Sequence, residues 1–248
     1  MDRLENLKNI IMYLMADNHV SHRIPSTLEE RQRMMRALMN VWEPRLIAED
    51  FLTMQDAELL MQREDKGVVE VHDEGLTIWQ GDITRLKVDA IVTAANAQAL
   101  GCWAPLHNCI DNCIHSAAGI QLRKECADKM QGRLLATGDA FITQGYNLPA
   151  RHVIHTVGPI IPDGIPTKEQ EEQLAQCYRS CLDLAEQNGL ESIAFCCIST
   201  GVFHFPNELA ARIAIETVKS YPRHALKTIV FNVFLDKDRD IYQQFLGA

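Results

Sequence analysis

Two rhythms divide the chain. Over residues 1 to about 66, apolar side chains recur at three- and four-residue intervals, and no run reads as a strand. "MDRLENLKNIIMYLMADNH" predicts an amphipathic helix with Leu4, Leu7, Ile10, Ile11 and Leu14 on one face. "STLEERQRMMRALMNVW" predicts a second, capped by Ser26 or Thr27, with acids in its first turn and Met35, Leu38, Met39 and Trp42 at helical spacing; Pro44 stops it. "AEDFLTMQDAELLMQRED" predicts a third, with Leu52, Ala57, Leu60 and Met61 inward, and the charge-rich "QREDKG" marks a boundary.

Beyond about residue 67 the rhythm changes. "LTIWQ", "DAIVTAA", "DAFITQGY", "HVIHTVG", "SIAFCCIS" and "KTIVFNVF" are short apolar runs of strand length. Between them lie longer helical patterns: "HNCIDNCIHSAAGIQLRKECADKM", "KEQEEQLAQCYRSCLDLAEQNG" with Gly189 at its C′ position, and "PNELAARIAIETVKSY". A last helix runs from about Asp236. Strands alternating with helices predict a mainly parallel sheet covered on both faces, with ligands at the carboxyl ends of the strands.

Composition narrows the function. At 248 residues and 47% hydrophobic, the chain suits one large domain, or one domain of usual size with an extension. A net charge of −9 without a basic stripe speaks against nucleic acid. No apolar run has membrane-spanning length and the N-terminus does not read as a signal peptide, so the expected compartment is the reducing cytoplasm. All eight cysteines follow residue 100, and clustered thiols in that setting point to metal or chemistry before disulfides.

The densest cluster is "GCWAPLHNCIDNCIH", residues 101–115. Cys102, His107 and Cys109 are thiolate and imidazole donors of the kind Zn2+ takes in tetrahedral geometry. Three ligands with an open position is a catalytic pattern; Cys113, one helical turn beyond Cys109, would close a structural set instead, and His115 is a further donor. Asp111 follows the loop, either as a helix-dipole partner or as an acid facing the open position. Elsewhere, "QGDIT" offers Asp82, "TAAN" ends a buried strand at Asn96, and "STGVFHFP" runs from a strand through Gly201 to a helix, as a phosphate-cradling turn does. Cys177, Cys181, Cys196 and Cys197 read as small core residues, and His152 and His155 as packing residues.

Taken in order, "GDIT", "DAIVTAAN", "HTVGP" and "STGVFHFP" resemble the macrodomain family, over about residues 67–248. The loop resembles the zinc-containing subclass, whose pattern runs Gly-Cys-x-x-Pro-x-His-x-Cys-Ile-Asp-Asn-x-Ile-His and which carries a helical N-terminal extension, here residues 1–66. The resemblance implies a three-layer α/β/α fold around a mixed, mainly parallel sheet, and ADP-ribose as ligand. It implies that Asp82 and Ile83 hold adenine, that Asn96 meets the distal ribose, and that Ser199, Thr200, Gly201, Val202 and Phe203 wrap the diphosphate and flank that ribose. It implies one zinc on Cys102, His107 and Cys109, with Cys113 no ligand and Asp111 the catalytic acid of the loop. The family has Asn at Thr93 and Gly at His204, two departures beside the cleft.

The expected function is zinc-dependent removal of mono-ADP-ribose from modified proteins, with an acidic-residue ester favoured. The partners implied are a sirtuin-type transferase and a lipoyl-carrier protein. The alternatives are a non-catalytic ADP-ribose reader and an interaction protein, each with a structural zinc.

Overall fold

The computed structural model describes residues 2–247. Three helices open the chain: α1 (Arg3–Asp17), α2 (Leu28–Asn40, capped by Thr27) and α3 (Glu49–Lys66). Leu7, Ile10, Ile11 and Leu14 of α1 meet Met35, Leu38, Met39, Trp42 and Phe51 in one apolar cluster. The inward face of α3 differs from the expected one. It buries Phe51, Gln55, Glu58 and Leu59, while Leu60 is exposed. Two buried polar residues are tolerated because both are satisfied: Gln55 Oε1 accepts from the Ile120 N–H at 3.0 Å, and Glu58 takes both Arg3 and Gln32.

There follow β1 (Val69–Glu70), β2 (Gly75–Gln80), a 3-10 turn (Ile83–Arg85), β3 (Leu86–Lys87), β4 (Ala90–Ala94), α4 (Ile110–Ala118), α5 (Ile120–Met130), β5 (Ala140–Gln144), β6 (His152–Thr156), α6 (Lys168–Gln187), β7 (Ser192–Phe195), α7 (Asn207–Ser220), β8 (Thr228–Val233) and α8 (Asp236–Leu246). The main sheet has six strands in the order β2-β8-β7-β4-β6-β5. Every neighbouring pair is parallel except β5–β6. The mixed sheet flanked by helices is the fold that the sequence pattern predicts. The small parallel β1–β3 pair, Val69 opposite Leu86, has no counterpart in that pattern.

Two further differences bear on the site. The single helix expected over 107–130 breaks at Gly119, whose φ of 105° and ψ of 168° end α4 and start α5. The strand expected to contain Cys196 and Cys197 ends at Phe195. Cys177, Cys181 and Cys196 are core residues as expected; Cys196 and Cys197 stand past the strand end, and Cys197 is half-buried against the core.

The extension is joined to the sheet layers by polar contacts as well as by Ile120, which enters its apolar cluster. Asp56 Oδ1 accepts from Asn147 Nδ2 at 2.7 Å and from Gln121 Nε2 at 2.8 Å. Among the described residues no helix is long and apolar enough to cross a membrane. Trp42 is fully buried and its indole N–H donates to Asp17 at 2.6 Å. Trp42→Ala is expected to destabilise the protein by about 3–5 kcal/mol, read as a lower midpoint in urea unfolding.

Candidate active site at the carboxyl ends of the strands

A cleft of about 810 Å³ lies beyond the carboxyl ends of the central strands. One wall is the loop after β4, with Leu106, His107, Asn108 and Cys109; the other is the loop after β7, from Ser199 to Phe203. Phe234 and Leu235, just past β8, stand at its border with 69% and 58% of their surface exposed.

The loop after β7 is folded by its own backbone. Phe205 N–H donates to Ser199 O, His204 N–H to Gly201 O, and Ile161 N–H to Phe203 O. The N–H groups of Gly201, Val202 and Phe203 make no hydrogen bond among the described residues, and all three residues line the cleft. Such free amides at a turn leading into a helix suit an anion. Ser199 and His204 both hold left-handed φ, 65° and 56°. That conformation gives a physical reason for glycine at the His204 position. The His204 side chain is exposed and lies off the cleft wall, so it does not narrow the cleft.

The loop after β4 brings donors together. One ligand atom each from Cys102, His107 and Cys109 lies within 4.8 Å of the others, and Cys102 Sγ is 3.7 Å from His107 Nδ1. Cys109 is the N-cap of α4, its sulfur accepting from the Asn112 N–H at 3.4 Å. Burial, with the Cys102 thiol beside it, pushes the Cys109 thiol up to about 12. Two sulfurs with one imidazole form a donor set that zinc accepts. Cys113 stands apart from this group. Its sulfur lies outside the donor set and faces Arg36 of α2 at 3.7 Å.

Behind the loop, Asp111 is 4% exposed. Its Oδ1 accepts from the Thr93 hydroxyl at 3.3 Å and lies 3.6 Å from His115 Nε2, while Oδ2 is buried without a hydrogen-bond partner among the described residues. Burial raises the carboxyl to about 7, against the pull of Thr93 and of the Arg123 charge. The Thr93 departure is therefore a direct partner of Asp111. His155 behind it packs face to face on Phe141 and meets Thr143 Oγ1 at 2.9 Å, the packing role expected of it; burial drives its imidazole to about 3 and keeps it neutral.

The other predicted residues are placed as follows. Asn96 braces the loop after β4: its Oδ1 accepts from the N–H groups of Gln98 and Ala99, and its Nδ2 donates to Gly101 O at 3.1 Å. Ile83 is buried. Asp82 caps the 3-10 turn through Thr84 and pairs with Lys66 at 3.2 Å. Burial opposes its charge, but Lys66 and Thr84 outweigh that and hold its carboxyl below the usual range. Asp82 borders a second cavity of about 490 Å³ between α2, α3 and α4, which shares Leu106 and Asn108 with the cleft. Thus His107, Cys109 and Ser199–Phe203 form the cleft walls, while Cys102, Asn96, Asp111, Asp82 and Ile83 stand behind or beside them. Cys196, Cys197, Asn232 and Phe234 line the cleft without having been singled out as site residues. Their position at the ends of β7 and β8 is the signal that would have found them.

Comparison with known proteins bears on the fold and the family. The Macro domain family profile matches residues 92–214. A protein-ADP-ribose hydrolase of Staphylococcus aureus is 44% identical over 98% of this chain and 97% of its own. A protein-ADP-ribose hydrolase of Treponema medium is 46% identical over 96% of this chain and 97% of its own. The solved Trypanosoma brucei macrodomain in complex with ADP-ribose is 30% identical and superposes with a TM-score of 0.64, covering 84% of this chain and 94% of that one. The chain belongs to the macrodomain family.

Gly158, in the "HTVGP" segment, is where β6 meets the loop after β7. A Cβ there would overlap the Ser199 hydroxyl oxygen. Gly158→Ala is expected to displace the 199–205 loop, seen as at least about tenfold faster amide exchange there with the sheet unchanged.

Proposed function

We propose that this macrodomain is a zinc-dependent hydrolase that frees mono-ADP-ribose from modified acidic side chains of proteins. Relatives of 44–46% identity over nearly the whole chain, named protein-ADP-ribose hydrolases, support the enzymatic class. The observation that carries the metal part is the convergence of Cys102, His107 and Cys109 in the loop whose His107 and Cys109 line the cleft opposite the free amides of Gly201 to Phe203. In this reading a diphosphate lies on one wall and the sugar beside the donor loop on the other.

Each residue then has a task. The amides of Gly201, Val202 and Phe203 hold the diphosphate and supply binding energy away from the reacting bond. Phe203 flanks the distal ribose. Adenine lies toward Asp82 and Ile83. Asn96 fixes the loop through its carbonyl and offers its second amide hydrogen to a ribose hydroxyl. Cys102, His107 and Cys109 hold Zn2+, which when bound supplies Lewis acidity toward a ribose hydroxyl or water at that end of the cleft. Asp111 takes the proton of the attacking group at Oδ2, the oxygen left without a partner. Thr93 keeps Oδ1 oriented meanwhile. Eight free cysteines suit a reducing cytoplasm. A sirtuin-type transferase would create the modification, and a lipoyl-carrier protein would bear it.

In Asp111→Ala the turnover of an acid-linked ADP-ribosylated protein should fall about 10²–10⁴-fold, with the ADP-ribose dissociation constant changed less than about threefold. Chelation should abolish turnover and added Zn2+ restore it, with one zinc per chain by elemental analysis. Tight ADP-ribose binding without turnover in either state would leave a reader module instead. Normal turnover by Asp111→Ala would remove the assignment of the base.

A further inference from the structure

We propose that the helical extension is part of the active site: Arg36 and Asn40, at the end of α2, are positioning residues that preset the donor loop before any metal binds. This rests on the reading of that loop as a metal centre.

The loop 101–109 does not hold its shape alone. Leu106 sits at a left-handed φ of 58°, a conformation that a branched side chain keeps only where neighbours impose it. Its N–H donates to Asn40 Oδ1 at 2.9 Å. The next residue is the donor His107, whose carbonyl accepts from Arg36 Nη2 at 2.8 Å. The same guanidinium spans to Asn112 Oδ1 at 2.9 and 3.3 Å, and Asn112 Nδ2 returns to Ala104 O at 2.9 Å. Asn40, 1% exposed, completes the ring by donating to Ser116 Oγ at 3.0 Å, which donates to Asn112 Oδ1 at 3.2 Å. The first donor is tied to the same helix end. Arg123 donates to Cys102 O at 3.3 Å and to the carbonyls of Met39, Asn40 and Trp42 at 3.3, 2.8 and 3.0 Å.

The end of α2 therefore grips the loop at Leu106 and His107 and, through Arg123, at Cys102. Between the first two ligands lie Trp103 to Leu106, a stretch that would otherwise be ordered only when the ion arrives. Setting it in advance removes that ordering entropy from metal binding, as partners beyond the ligands commonly do. A role limited to packing the extension would affect the whole molecule instead of this loop.

The test uses the full chain with Arg36→Ala, Arg36→Lys and Asn40→Ala. Zinc affinity is read by competition with a chromophoric chelator, and amide exchange of 101–109 is read on chelated protein. The expected result is zinc binding about 10–100-fold weaker in Arg36→Ala and Asn40→Ala, with Arg36→Lys between, because lysine keeps the charge but loses the fork. Exchange over 101–109 should rise at least about tenfold while β4 and β6 keep their protection. Unchanged zinc affinity and unchanged exchange in that loop would overturn the proposal, as would a uniform rise of exchange across the chain. A wild type that takes up no zinc, with variants that still release the loop, would sink the metal reading and leave the positioning role standing.

Discussion

A buried positive charge sits where the parts of this molecule meet. Arg123 is 3% exposed and belongs to α5, yet its guanidinium is filled by main-chain carbonyls from the end of α2 and by Cys102. A charge without such partners would be strongly destabilising in that position. Helix-end carbonyls are good partners, because they are unpaired within the helix and carry its negative pole. Burial lowers the group to about 10, against the pull of Asp111, so it remains a cation at neutral pH. One face of the guanidinium lies over the Trp103 ring at 4.2 Å, so the donor loop packs against it as well. The position of the extension, the path of the loop and the field at Asp111 thus share one group.

That sharing makes the boundary near residue 66 one of sequence pattern more than of structure. The helical rhythm does stop at Lys66. The contacts do not stop there: Gln55 caps the start of α5, Asp56 reaches Gln121 and Asn147, and Arg36 reaches the donor loop. A cut at residue 66 would strip Arg123 of three carbonyls and remove the apolar cluster that covers Ile120.

The strands of the main sheet were legible in the sequence because each is a compact apolar run between turn residues, and their alternation with helices points to a mainly parallel sheet. Loop chemistry was legible in part: the spacing of Cys102, His107 and Cys109 puts three donors on one short turn, and the fold brings them together. What stayed hidden has long-range causes. Arg123 reads as an ordinary solvent-facing charge on a helix, and only the approach of α2 makes it internal. Gly119 looks like one tolerated glycine in a helical run, and only Gln55 arriving at the Ile120 N–H explains the break. The inward face of α3 misled because Gln55 and Glu58 are polar, while periodicity weighs only apolar residues. Cys196 and Cys197 look like strand interior, since nothing in their apolarity marks where pairing stops.

The left-handed residues carry a consequence for tolerance to change. Among the described residues, four of the seven non-glycine residues with positive φ, Ala99, Leu106, Ser199 and His204, lie in the two loops on either side of the cleft. At about 1–3 kcal/mol each, the strain held there is comparable with the whole margin by which a domain stays folded. The molecule is thus least robust around its opening, and the rest must be correspondingly sturdy. Sequence drift in the distant sheet and outer helices would consume the reserve that keeps these loops bent. Changes far from the cleft would then register first as a blurred site, well before any loss of the fold.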